Sequence, residues 1–70
     1  GPDLHFDAAA VARAREQVVG FLREHETIRA ADARDLTGSS RKYIVPLMEY
    51  FDTQGVTRRE EHIRRLGPRA

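Results

Sequence analysis

Seventy residues, 40% hydrophobic and 33% charged, suffice for one soluble domain with a thin core, because a chain this short buries only about 60% of the surface its unfolded form exposes. The absence of cysteine excludes disulfide and thiolate chemistry and points to a reducing cytoplasm, and no apolar run approaches the roughly 20 residues that cross a bilayer. The formal charge of +1 hides an asymmetry. Residues 1–36 hold five arginines against seven acids, whereas residues 37–70 hold seven cations against four acids, so a polyanion would be drawn to the second half. The alternative is a solvated, arginine-rich surface with no partner.

Gly1-Pro2 has the look of the remnant of a cleaved affinity tag, which would make the chain a piece of a longer protein, and residues 3–70 are expected to form one domain. Asp7 is a good N-cap, and Phe6 before it supplies half of a hydrophobic staple. From Ala8 to His25 neither proline nor a turn cluster interrupts the chain. Val11, Val18, Leu22 and His25 follow a helical stripe, with Ala14 and Phe21 beside it and Arg13, Glu16, Gln17 and Arg23 opposite. Gly20 in mid-helix costs about 1 kcal/mol against alanine, which predicts close packing by another element there.

Thr27-Ile28-Arg29 reads as an extended segment able to add an edge strand. Ala30 to Leu36 reads as a short second helix with Leu36 inward, broken by Thr37-Gly38-Ser39-Ser40, where Gly38 can take positive φ and either serine can cap the next helix. The third helix is expected from about Arg41 to Gln54, with Ile44, Leu47, Met48 and Phe51 on one face and Tyr50 widening it. Pro46 removes a backbone bond to Lys42 and predicts a kink or a loosened first turn. Gly55 stops the helix. Val56, Ile63 and Leu66 then anchor two short strands joined at Glu61-His62, poor chemistry for a two-residue turn, and Gly67-Pro68 ends the fold.

Short helix, glycine-containing turn, longer helix and hairpin are the parts of a winged helix, an α+β fold of three helices and a small antiparallel sheet. Such a fold presents the start of its third helix to a ligand. Here that start is Ser39-Ser40-Arg41-Lys42-Tyr43. Helix N-terminal amides attract anions, and two cations opposing the helix dipole are a locally unfavourable choice that suits phosphate binding. Ser39 and Ser40 read first as caps, then as contacts. Tyr43 is either a platform for an exposed base or a half-buried core residue. Arg58, Arg59, Arg64 and Arg65 lie on the wing, where neighbours point to opposite faces, so each pair offers one arginine per face. Glu60 and Glu61 at the tip would repel phosphate. His5, His25 and His62 lack metal-ligand spacing, and no acid pair, nucleophile elbow or glycine-rich phosphate loop is present, so neither an enzyme nor a bound cofactor is expected.

The run Leu36-Thr37-Gly38-Ser39-Ser40-Arg41-Lys42-Tyr43-Ile44-Val45-Pro46-Leu47-Met48-Glu49-Tyr50-Phe51-Asp52, continuing through Gly55-Val56-Thr57-Arg58-Arg59, resembles the C-terminal end of bacterial selenocysteine-specific elongation factors. That family joins a GTPase, with its GTP and magnesium, to a string of winged helices. Its last winged helix grips an mRNA hairpin beside a UGA codon, so that selenocysteyl-tRNA is delivered to the ribosome there. The resemblance implies that Arg41 and Lys42 open the recognition helix and that Arg58, Arg59 and Arg64 are basic wing positions. It also implies that proline is tolerated at Pro46. Family wings often turn on Gly-Asp, where this chain has Glu61-His62.

The leading expectation is therefore a monomeric, non-membrane domain that binds an mRNA hairpin. Arg41 and Lys42 would clamp loop phosphates, the wing arginines would hold the stem, and loop or bulged bases would supply specificity. Two readings stand beside it. One is a DNA-binding regulator with the third helix in the major groove, although no long dimerisation helix is evident. The other is a protein-interaction winged helix with Val45 and Tyr50 as contacts.

Overall fold

The computed structural model describes residues 7–70, so the readings of Gly1-Pro2, His5 and Phe6 lie outside the described residues. The chain folds as α1 (Ala8–His25), α2 (Ala30–Thr37), α3 (Arg41–Thr53), β1 (Thr57–Glu60) and β2 (Ile63–Leu66). This is the α+β winged helix expected: three helices followed by an antiparallel hairpin.

Asp7 caps α1 by accepting the Ala9 N–H at 3.1 Å. The helix buries Ala14, Val18, Val19 and Leu22, while His25 stays exposed in the last turn, its ring 4.3 Å from that of Phe21. Gln17 is not wholly given to solvent, since its amide donates to the Leu36 carbonyl at 3.2 Å. Gly20 departs from expectation. It is exposed, and nothing lies within 4 Å of where a Cβ would sit. Two positions from both Val18 and Leu22, it falls on the outer face of α1, so no packing offsets its local cost.

At the end of α1, Glu26 takes a φ of 69° while its N–H bonds the Leu22 carbonyl, and Thr27 N–H reaches back to His25 at 2.8 Å. That tight turn aims the fully buried Ile28 into the core. The backbone of Ile28 exchanges two hydrogen bonds with Arg64, at 3.0 and 2.8 Å, so the expected edge strand is a single bridge on β2. Asp32 closes α2 at its start by accepting the Arg29 N–H at 3.0 Å, and this bond holds its carboxyl below the usual range.

Gly38 ends α2, and α3 then runs from Arg41 to Thr53 with Pro46 inside it. Ser40 carbonyl accepts both Tyr43 N–H (3.1 Å) and Ile44 N–H (2.9 Å), which tightens the first turn instead of loosening it. Ile44, Leu47, Met48 and Phe51 are buried as their spacing demands, but Tyr50, off that stripe, is 41% exposed. Gly55 at φ 76° completes a Schellman ending: Val56 N–H bonds Phe51 carbonyl at 2.9 Å and Gly55 N–H bonds Asp52 carbonyl at 3.2 Å.

The hairpin pairs Thr57 with Leu66, Arg58 with Arg65, Arg59 with Arg64 and Glu60 with Ile63. Of the non-glycine residues in its turn only Glu61 has positive φ, 55°, the pattern of a type II′ turn, in which glycine is the favoured residue. Glycine would be unstrained there. Pairing does not stop at β2: Gly67 N–H bonds Val56 carbonyl at 2.8 Å and Arg69 N–H bonds Gly55 carbonyl at 2.7 Å. A Cβ on Gly67 would overlap the Gly55 carbonyl oxygen, so this glycine is required by a close backbone approach.

Candidate nucleic-acid interface

Arg41 and Lys42 occupy the first turn of α3, both exposed, and among the described residues neither takes part in an ion pair. Neither serine caps this helix through its side chain. Ser40 stands at the N-cap without a side-chain cap bond, and the Ser39 hydroxyl accepts instead from the Thr37 hydroxyl at 3.0 Å. The amides of Arg41 and Lys42 therefore point outward with no acceptor among the described residues. A helix start with open amides and two cations is an anion-attracting edge.

Between α3 and the wing lies an open groove of about 310 Å³. Arg41 and Val45 form its helical wall, Arg59, Glu61, His62 and Arg64 its wing wall, and Ala30 its end. Arg59 Nε donates to the Glu61 carbonyl at 3.2 Å, which holds the guanidinium against the turn and, among the described residues, leaves it free of carboxylates. On the other side of Arg41 a second hollow of about 240 Å³ is bounded by Ala30, Ala31, Arg34 and Ile44. Arg41 is thus the shared wall of two depressions, with Arg34 across one and Arg59 across the other.

The four wing arginines separate into three environments. Arg59 faces the groove. Arg58 and Arg65 share the opposite face as cross-strand partners, both bound to Glu60, at 3.0 and 3.1 Å. The Arg65 hydrogen bond first, and then that of Arg58, draw the Glu60 carboxyl below its ordinary value of 4.5. Arg64 also borders the groove, and its charge is already engaged. It is 6% exposed, and its guanidinium is committed to Asp52. The reason is geometric: the Arg64 backbone bridges to Ile28, and its side chain, on the inner face of β2, reaches the carboxylate at the end of α3.

Tyr43 is half-buried against the core cluster. Arg34 and His62 line the depressions beside Arg41 but were not singled out from the sequence. Arg34 is seven residues before Arg41, on a helix within the net-acidic half, and its Nε also contacts Asp35 at 3.4 Å, so charge counting hides it. Among the described residues no three His, Cys, Asp or Glu side chains gather as a metal site, and no helix is long and apolar enough to cross a membrane.

A helix-turn-helix followed by a two-stranded wing, with a groove between third helix and wing, makes this a winged-helix domain. Residues 20–66 match the family model described as elongation factor SelB, winged helix, and over that span the chain belongs to this family. No curated protein matches it.

Proposed function

We propose that this domain binds a folded RNA hairpin and serves a selenocysteine-specific elongation factor by recognising the selenocysteine-insertion hairpin of mRNA. Its parent would carry the GTPase, with GTP and magnesium, and would bring selenocysteyl-tRNA to the ribosome at UGA. The observation that carries the reading is that Arg41 and Arg59 line one groove beside the open amides of α3, with Lys42 exposed next to Arg41, all three without a carboxylate partner among the described residues. Open amides and guanidinium groups on one edge suit the phosphates of an RNA loop. The apolar side of Val45 and Ala30 gives an unstacked base somewhere to rest. Membership in the SelB winged-helix family supports the choice of RNA.

A protein-docking role has one observation in its favour, the exposure of Val45 (37%) and Tyr50 (41%). Five residues apart on a helix, however, they lie about 140° from one another, and they border different depressions. They do not make one patch.

Titration of the domain with a hairpin from a selenoprotein message, with an unrelated hairpin and with palindromic duplex DNA, at two salt concentrations, tests the proposal. Preference for the first with a steep negative salt slope is expected. Equal affinity for the unrelated hairpin defeats specificity, tighter binding of duplex favours a DNA regulator, and a salt-independent constant favours a protein partner.

A further inference from the structure

One carboxylate ties the wing to the recognition helix. Asp52, in the last turn of α3, receives Arg64 Nε at 3.0 and 3.1 Å and Arg64 Nη2 at 3.0 Å, a forked contact from β2. Its Oδ1 also accepts the Thr57 hydroxyl of β1 at 2.6 Å. Both strands therefore hang on one side chain of the helix. The Arg64 backbone in turn pairs with Ile28, which connects the same point to the segment before α2.

Burial argues that this arrangement sets geometry more than stability. The Arg64 side chain is 8% exposed and that of Asp52 is 23% exposed, and a buried ion pair can often be replaced by apolar residues without loss of stability. What apolar packing does not supply is direction. An isolated two-stranded hairpin is marginal in water and has no rigidity of its own. A forked guanidinium–carboxylate contact plus a short hydroxyl bond fixes both its height and its rotation against α3.

The beneficiary is Arg59, whose Cα partner across the hairpin is Arg64. Arg64 turns inward to Asp52, and Arg59, level with it on the same face of the neighbouring strand, reaches the groove opposite Arg41. We infer that Asp52 is a positioning residue of this surface: by holding Arg64 and Thr57 it sets the wing angle that places Arg59 across from Arg41. The inference rests on the reading of that surface as the RNA-binding one, and its test separates the two.

Asp52→Asn keeps the size and an acceptor oxygen but loses the charge that grips Arg64. Two readouts are needed. In the first, nitroxide labels on Glu49→Cys and Arg58→Cys report the distance between α3 and the wing, and the chain has no cysteine of its own to interfere. A narrow distribution in the parent that broadens in Asp52→Asn is expected. An unchanged distribution overturns the inference whatever RNA does.

In the second, hairpin affinity is measured against salt for Asp52→Asn, Arg59→Ala and the double variant. Arg59→Ala is expected to weaken binding about fivefold and to reduce the salt slope by about one unit, as for loss of a phosphate contact. Asp52→Asn should do part of the same, and the double variant should be no weaker than Arg59→Ala, because the carboxylate acts through that arginine. Additive losses overturn the inference. A broadened distribution together with affinity that ignores Arg41→Ala and Arg59→Ala supports the positioning role and sinks the RNA reading alone. If Asp52→Asn does not stay folded, Thr57→Val, which deletes only the 2.6 Å bond, carries both readouts at smaller amplitude.

Discussion

Three adjacent basic pairs occur in this chain, one on a helix and two on strands, and the contrast between them shows how backbone period decides what a charge can do. Arg41 and Lys42 sit about 100° apart on the exposed side of α3, so both remain available at one edge. Arg58-Arg59 and Arg64-Arg65 alternate across the hairpin. One member of each strand pair turns to the groove side and the other to the opposite face, where Arg58 and Arg65 meet Glu60 and border a hollow with Leu22 and Arg23 of α1. Adjacent cations on a helix act together, whereas on a two-stranded wing they are assigned separate tasks by the pleat.

The contrast is broken most severely at Arg64. Arg64→Ala leaves the Asp52 carboxylate without its partner, and a cost of about 3 kcal/mol is expected, near the lower end of the range for splitting a buried pair because Asp52 keeps some access to water. Arg65→Ala, one residue on, removes only a surface pair with Glu60 and should cost under about 0.5 kcal/mol. Urea denaturation of the two variants measures both. Equal costs would mean that the pleat does not sort the arginines.

Binding provides the next test. Replacing Arg41, Lys42 or Arg59 singly by alanine should weaken the hairpin complex about five- to tenfold, with the fold unchanged by circular dichroism, while Arg58→Ala on the far face should change it less than about twofold. A loss at Arg58 equal to that at Arg59 would show that both faces of the wing touch RNA.

How far these differences were readable in the sequence varies with their range. Helix limits were legible because the signals are local: Asp7 caps α1, Gly38 and Gly55 end α2 and α3, and the stripe from Ile44 to Phe51 faces the core. The hairpin was legible from two short runs, and the division of each arginine pair from the period of two. The choice of Arg64 for the interior was not. It depends on Asp52, twelve residues away, and on the bridge to Ile28, which no local pattern encodes. Gly20 misled for the converse reason, since an unfavourable residue does not say whether packing or mere tolerance keeps it there. The close approach at Gly67, read only as the end of the fold, and the place of Arg34 were not legible because a backbone approach and a shared hollow appear only when distant segments meet.

The wing turn sharpens the contrast from the strand side. Glu61 holds a positive φ at a position where glycine is favoured, so Glu61→Gly should stabilise the domain by about 1 kcal/mol in thermal or urea unfolding. It also removes an acid from the groove, and hairpin affinity should rise. A destabilised variant would refute the turn assignment.

The smallest effect concerns Glu60, which keeps Arg58 and Arg65 occupied on the far face. Its carboxyl lies below 4.5 in the folded chain, through hydrogen bonds from Arg65 and then Arg58, and stands near that value when unfolded. A depressed folded value favours the native state fully above 4.5, and the benefit fades as pH falls through the lower folded value. Because the carboxylate is at the surface, the contribution is slight, and added salt should shrink it further. Comparing the unfolding midpoint of the parent with that of Glu60→Gln from about pH 5 to pH 3 isolates it from the other acids. The parent should lose its small advantage over the variant across that interval at low salt. A difference that is constant with pH would mean that Glu60 does not hold the two arginines by charge, and the far face of the wing would then be as open to phosphate as the near one.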